Sequence, residues 1–386
     1  MTIHPAAGKV DVDFSLAMHN RTGKYFIGRD LLDCAPDLID RVFYWMIPAQ
    51  DPPSGLIGKV ICKLQGGQVR ANAGAGLLGW RPRRGSPGPL LHLEPYTVLT
   101  RRLTRRDAVL VHDVGPLTHP ELFETGLYPA YRMIFAEIAA AGPHVIFASR
   151  TSQIEFERLF PNAALASSRV IYPAIRDDIA PPAPQPVARV GSARFLLTVG
   201  SIGDRKNQAR CIRAFERSGL AKRGVRYVLC GSTEPGAEAV SALAARTPGV
   251  ILLPYVSDAE LAWLYDHAAG FVLASLLEGF GIPLAEAISH GVVPAVTRDS
   301  VLEEVAGPGA LLVQPLDEDD LAAAMVRLVE MDDAERASRL TLLRDSIGRF
   351  SLGIFAQEWR EALADIASTR PVSTAIAAQD RHAVTA

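Results

Sequence analysis

Several features that would classify a chain at once are scarce here. Only four cysteines occur in 386 residues, Cys34, Cys62, Cys211 and Cys230, and none stands in C-x-x-C spacing. That scatter argues against a disulfide framework and a thiolate zinc site, so reduced thiols are expected. There is no surplus of positive charge: 40 Lys and Arg face 42 Asp and Glu, for a formal net charge of −2. A dedicated nucleic-acid binder would be basic, so nucleic acid is not an expected partner. No apolar run approaches the roughly 20 residues that span a bilayer. The opening Met-Thr-Ile-His-Pro lacks the basic-then-apolar order of a secretion signal. A cytoplasmic location is expected, with the inner face of the plasma membrane as a place to rest.

What is present suits a large α/β protein. Hydrophobic residues make up 48% and charged residues 21%, enough to build sizeable cores, and the length fits two domains of roughly 100 to 200 residues. Pro181 to Pro186, P-P-A-P-Q-P, is the expected linker, because ring-locked φ angles and missing donors disfavour helix and strand alike. Beyond it apolar strands (194–200, 225–231, 250–253, 270–274) alternate with helices (207–218, 237–246, 258–268), the pattern of a parallel sheet covered on both faces. In the first half, 10–17, 109–111 and 144–148 read as strands and 130–141 as a helix. A last helix over 351–367 carries Phe355, Trp359 and Leu363 at near-helical spacing. The small, polar stretch 368–386 is expected to be disordered.

Chemistry concentrates at Glu278-Gly279-Phe280-Gly281-Ile282-Pro283-Leu284-Ala285-Glu286. A strand delivers the chain to a Gly-x-Gly turn where backbone amides can approach a ligand, and Pro283 suits the first turn of a helix, whose positive end favours an anion. Glu286, expected in that first turn, and Glu278 before it can each accept hydrogen bonds from hydroxyl pairs, a grip suited to a sugar nucleotide. An ordinary tight strand-to-helix connection is the alternative. A second run, Thr198-Val199-Gly200-Ser201-Ile202-Gly203-Asp204-Arg205-Lys206-Asn207, sets two cations between a strand and a helix, where they can neutralise a diphosphate. A solvated pair at a helix start is the plainer reading.

These runs resemble the retaining GT-B glycosyltransferases of family four (group 1), in particular bacterial polysaccharide mannosyltransferases. Further matching stretches are Pro254 to Leu261, Ser275 to Glu286 and His290 to Val296, with Thr22-Gly23-Lys24-Tyr25 and Val111 to Pro120 (V-H-D-V-G-P-L-T-H-P) in the first half. The resemblance implies an α/β GT-B fold: an acceptor-binding Rossmann-like domain over 1–182, a donor-binding one over 190–350 facing it across a cleft, and a helix over 351–367 crossing back. It implies that Arg205 and Lys206 hold the donor diphosphate, Glu286 the ribose and Glu278 the transferred sugar, beside the amides of Gly279, Phe280 and Gly281. Tyr255 and Val256 would line the base, Gly23 would admit the phosphates, and His112 with Asp113 would lie beside the reacting carbon. Many relatives carry arginine where Ser201 stands, which leaves Arg205 as the substitute.

The implied reaction is metal-independent, retaining hexosyl transfer, mannose from GDP-mannose first, to a glycan or lipid-linked acceptor, with no cofactor. A sugar-nucleotide epimerase of the same architecture and an inactive sugar-nucleotide-binding module are the alternatives. For His112 the plainer reading is a strand-end histidine bonded to backbone, and for Asp113 the cap of a turn. Asp11-Val12-Asp13 is formally D-x-D, yet both aspartates are expected at a strand's start, away from ligands. Asp317 to Asp320 reads as a helix N-terminus. An arginine cluster from Arg81 through Arg101, Arg102, Arg105 and Arg106 reads either as solvated surface or as an acceptor or anionic-membrane face.

Overall fold

The computed structural model describes residues 8–19, 23–75, 79–82, 88–123, 127–175 and 183–369. The expected linker and tail fall partly outside this range, as do Arg83 and Arg84.

Two sheets organise the chain. The strands of the first are β1 (Val10–Asp13), β2 (Ile39–Tyr44), β3 (Ile47–Pro48), β4 (Leu90–His92), β5 (Ala108–Val111), β6 (His144–Phe147) and β7 (Ser167–Val170), in the order β3-β2-β1-β4-β5-β6-β7. Those of the second are β8 (Phe195–Val199), β9 (Arg226–Cys230), β10 (Val250–Leu253), β11 (Gly270–Leu273), β12 (Pro294–Thr297) and β13 (Leu311–Val313), in the order β10-β9-β8-β11-β12-β13. All pairings are parallel except that of β2 with the short β3. Fully buried strands such as Phe195–Val199 need apolar cover on both faces, and helices supply it.

In the first half these are α1 (Gly23–Cys34), α2 (Gly55–Ala75), α3 (Gly115–Thr118), α4 (Leu127–Ala141) and α5 (Arg150–Leu159). In the second they are α6 (Gln208–Ser218), α7 (Ala237–Arg246), α8 (Asp258–His267), α9 (Ile282–Ser289), α10 (Val301–Ala306), α11 (Glu318–Glu330), α12 (Asp333–Ile347) and α13 (Leu352–Ser368). Asp317 caps α11 by accepting from the amides of Asp319 and Asp320.

The last helix belongs to the first core. Phe355, Trp359, Leu363 and Ile366 pack with Val10, Val12 and Leu31, and burying each such side chain stabilises by roughly 1.5 to 3 kcal/mol. A second tie is electrostatic: Glu304 of α10 accepts from the amides of Arg150 at 2.7 Å and Thr151 at 2.8 Å. Its charge thereby caps the positive end of α5 across the two halves.

One strand expectation fails instructively. The apolar run 10–17 is not all strand, because β1 stops at Asp13 and a 3-10 turn follows over Ser15–Met18. The Asp13 carboxylate captures both the amide of Ser15, at 3.0 Å, and its hydroxyl, and so turns the chain.

Candidate active site

In each sheet the winding reverses once, between β8 and β11 in the second and between β1 and β4 in the first. Crevices at such reversals, beyond the carboxyl ends of the strands, are where open α/β sheets bind ligands.

On the second sheet two loops leave β8 and β11 and lock together. Gln208 accepts from the Gly203 amide at 2.9 Å and donates to the Ser201 carbonyl at 2.8 Å. Asn207, in the left-handed region at φ 57°, donates to the carbonyls of Ala274 at 3.0 Å and Pro315 at 2.7 Å. The Leu276 amide donates to the Arg205 carbonyl at 2.9 Å. Arg205 and Lys206 thus sit in a 3-10 turn, Asp204–Lys206, fixed against the neighbouring loop.

That loop presents Glu278. The Lys206 ammonium donates to Glu278 Oε1, and the Ser275 hydroxyl donates to the same oxygen at 2.9 Å. Arg205 lies 3.5 Å from Glu278 Oε2 and 3.2 Å from Glu234, and donates to the Leu277 carbonyl at 3.2 Å. Burial opposes ionisation of Glu278, but the charges of Lys206 and Arg205 outweigh it and hold the carboxyl below the usual range. Gly281 caps α9 at φ 95°, a left-handed conformation that disfavours a side chain. Gly279 is required by space: a Cβ there would meet the His112 carbonyl oxygen at 2.9 Å.

Glu286 is not in the first turn of its helix, as expected, but fifth in α9. Its carboxylate accepts from the Tyr265 hydroxyl at 2.9 Å, while burial pushes its pKa up.

The first sheet contributes His112 and Asp113 from the end of β5. His112 Nε2 lies 3.0 Å from the Leu93 carbonyl, which can only accept, so Nε2 carries the proton and Nδ1 the lone pair. Burial, aided by Lys24, lowers the His112 pKa to about 3, so the ring is neutral. Asp113 accepts from the Gly115 amide at 2.9 Å and so closes the turn that leads into α3. Both plainer readings therefore describe what these side chains do, yet both residues also line the cleft. Sequence reasoning gave no role to Lys24, which pairs with the buried Glu94 at 3.2 Å across the reversal of the first sheet. Lys24 stood inside a quoted motif, but only the pairing of β1 with β4 reveals its partner.

A cavity of about 1030 Å³ joins the two halves. Gly23, Lys24, His112 and Asp113 line it from one side. Arg205, Lys206, Glu278 to Gly281 and Glu286 line it from the other. The structure does not bring in Tyr255, which is 83% exposed, or Val256. Leu261, Ala262 and Tyr265 line that wall instead, because the Ser257 capping box starts α8 directly after Val256 and turns these residues inward.

The arginine cluster is corrected as well. Arg101 is 8% exposed, donates to the Trp45 carbonyl at 2.7 Å and lies over the Phe43 ring, so it packs the first domain. Arg106 donates to the Thr369 carbonyl at 2.9 Å, Arg105 donates to the carbonyls of Ala164 and Leu165, and Arg81 pairs with Glu137. Arg102 is exposed. Nor do both D-x-D aspartates sit at a strand start. Asp13 ends β1 and holds Ser15, while buried Asp11 pairs with Arg41 at 3.1 Å. Among the described residues no group of three or more His, Cys, Asp or Glu is arranged to hold a metal.

Comparison with known proteins places this geometry. Residues 183–341 match the family described as glycosyl transferases group 1. The chain is 28% identical to the O-antigen chain mannosyltransferase B of Escherichia coli over 251 residues, 62% of this chain and 65% of that one. It is 27% identical to the O-antigen chain mannosyltransferase RfbU of Salmonella typhimurium, over 60% of this chain and 63% of that one. The chain thus spans a little under two thirds of the length of these relatives. A UDP-forming α,α-trehalose-phosphate synthase from Burkholderia xenovorans superposes with a TM-score of 0.67 at 15% identity, covering 94% of this chain and all of that one. The fold is GT-B, two Rossmann-like domains facing a central cleft, and the second domain is the part that matches the group 1 glycosyl transferases.

Proposed function

We propose that the protein is a retaining hexosyltransferase that moves mannose from GDP-mannose to a glycan or lipid-linked acceptor in bacterial surface polysaccharide synthesis. The observation that carries this reading is the locked cluster of Arg205, Lys206 and Glu278 beside the amino end of α9, facing a cleft large enough for a sugar nucleotide. That two relatives are O-antigen chain mannosyltransferases supports mannose.

In this reading the backbone amides of Gly279 to Ile282, which lead into α9 ahead of Pro283, and the cations receive the diphosphate. Lys206 spends one N–H on Glu278 and keeps two for phosphate oxygens. Because the carboxylate already fixes the ammonium, little reorganisation accompanies the growth of charge on the leaving group. Glu278 then holds hydroxyls of the transferred sugar and Glu286 those of the ribose. The acceptor enters from the side of Lys24 and His112. Its hydroxyl attacks the anomeric carbon on the face the diphosphate leaves, and the departing phosphate takes the proton.

Charge neutralisation is thereby assigned to side chains and amides, so transfer should proceed in excess EDTA. Full dependence on added manganese would refute that assignment. Melting curves with a panel of nucleotide sugars test the donor, since a ligand at a hundred times its Kd stabilises by about 2.7 kcal/mol. GDP-mannose should shift the transition most. No shift with any nucleotide sugar would reject the donor site, and release of free nucleoside diphosphate without acceptor would favour the epimerase alternative.

A further inference from the structure

Helix α2 is inside out. Its 21 residues direct amides into the protein: Gln65, Gln68 and Asn72 are buried. Gln68 accepts from the Trp45 indole at 2.7 Å and donates to the carbonyls of Trp80 at 3.0 Å and Thr100 at 2.9 Å. Asn72 donates to Trp80 at 2.9 Å and to Leu99. The opposite face carries Leu56 at 78% exposure, Ile57 at 69%, and the exposed Val60 and Leu64. Positions 56, 60 and 64 repeat every four residues, so they form one continuous apolar row along the helix. A soluble helix normally buries such a row, whereas here the buried face is made of Ile61 with the amide side chains of Gln65, Gln68 and Asn72.

The flank of this row says what covers it. Lys59, Lys63 and Arg70 are exposed on the adjoining strip, and 55–75 contains no acidic residue. Trp80, 62% exposed, lies beside the helix because its carbonyl receives both amides. Exposed Leu, Ile and Val next to cations that meet no carboxylate among the described residues match an apolar layer beneath anionic head groups rather than an acidic protein surface, which would leave the row in water. Among the described residues no helix is long and apolar enough to cross a membrane, so α2 would lie in the interface.

We propose that this face of α2, and not the arginine cluster, docks the protein on an anionic lipid surface. The inference is independent of the transfer reading, because it concerns vesicle binding alone. Cosedimentation with vesicles of phosphatidylcholine and phosphatidylglycerol tests it. The wild type should pellet at low salt, detach as salt rises, and ignore pure phosphatidylcholine. Each cation near such a surface changes partition roughly fivefold, so K59Q with K63Q and R70Q should weaken binding about a hundredfold. L56Q with V60Q and L64Q should abolish it while leaving the melting temperature in place, since all three side chains are already in water. R102Q with R105Q should bind like wild type. Equal binding of the apolar triple variant, equal binding to neutral vesicles, or no binding by the wild type would overturn the proposal. So would a dimer that the apolar triple variant converts to monomer, which would make a second copy the occupant.

Discussion

The two domains hold their cleft-facing charges in different ways. In the second, Lys206 and Glu278 are both nearly buried and belong to loops on adjacent strands, tied by the Leu276–Arg205 backbone bond and by the Asn207 side chain. In the first, Lys24 is 40% exposed and meets Glu94 from 70 residues away. One pair is built into its surroundings before any ligand arrives, whereas the other keeps a side chain in solvent. A buried, locked cation suits a fixed anion such as a diphosphate, and a half-exposed one suits a partner that comes and goes.

The sharpest way to break this contrast is to remove Lys206. K206A leaves the Glu278 charge buried, and breaking a buried pair typically costs about 3 to 5 kcal/mol. Turnover should fall roughly 100- to 1000-fold, as for loss of a preorganised contact to a developing oxyanion. Replacing both partners, K206M with E278L, should recover most of the stability but none of the turnover. If the double variant regained transfer, the pair would be structural only.

His112 extends the comparison to pH. Its folded pKa is about 3, against 6.5 for the free side chain. Between those values the unfolded chain binds the proton and the folded chain does not, so stability falls as pH drops below 6.5. By pH 5 the loss reaches about 2 kcal/mol. Glu278, held below its usual range, adds a loss only under more acidic conditions, and Glu286, held above it, works in the opposite sense. Subtracting the H112N melting curves from those of the wild type at pH 7 and pH 5 isolates the histidine, and an unchanged slope would contradict its buried, neutral state.

How much of this was legible in sequence also divides by domain. In the second half, apolar runs bounded by glycine and charge announce β8, β9, β10 and β11 to within a residue or so, and the residues of the Lys206–Glu278 cluster stand in the two loop motifs that the sequence singles out. The first half hid more. Strand β4 is three residues long, too short to stand out, so the position of Glu94 at the cleft could not be read. Helix α2 was missed because its buried face is amide-rich and its exposed face apolar, the reverse of the pattern that marks a soluble helix. Tyr265 went unassigned because its role, a hydroxyl on Glu286, depends on how α8 packs beside α9.

A finer division concerns the two glutamates. E286A should weaken the nucleoside diphosphate itself, by about 1.5 to 3 kcal/mol if the lost contact behaves as a hydrogen bond to a charged group. E278Q should spare that affinity and lower turnover, since its proposed contact is with the sugar. Calorimetry separates them, and equal losses of affinity would overturn the assignment.

The smallest expected effect belongs to the Lys24 pair, and its smallness is what sharpens the contrast with Lys206. Lys24 can present its charge to solvent, but K24M leaves the Glu94 carboxylate buried, so it should lower stability by about 1 to 3 kcal/mol, less than K206A. E94Q should cost less than K24M, because it leaves no charge buried and the half-exposed Lys24 can turn to solvent. Lys24 reaches the cavity from the first domain, so its loss should leave nucleoside diphosphate affinity unchanged and raise the KM for acceptor several-fold. Titrating the diphosphate into K24M and K206M under the same conditions decides the matter: equal weakening would mean that Lys24 also serves the donor, and that the cleft is not divided between the two domains as proposed.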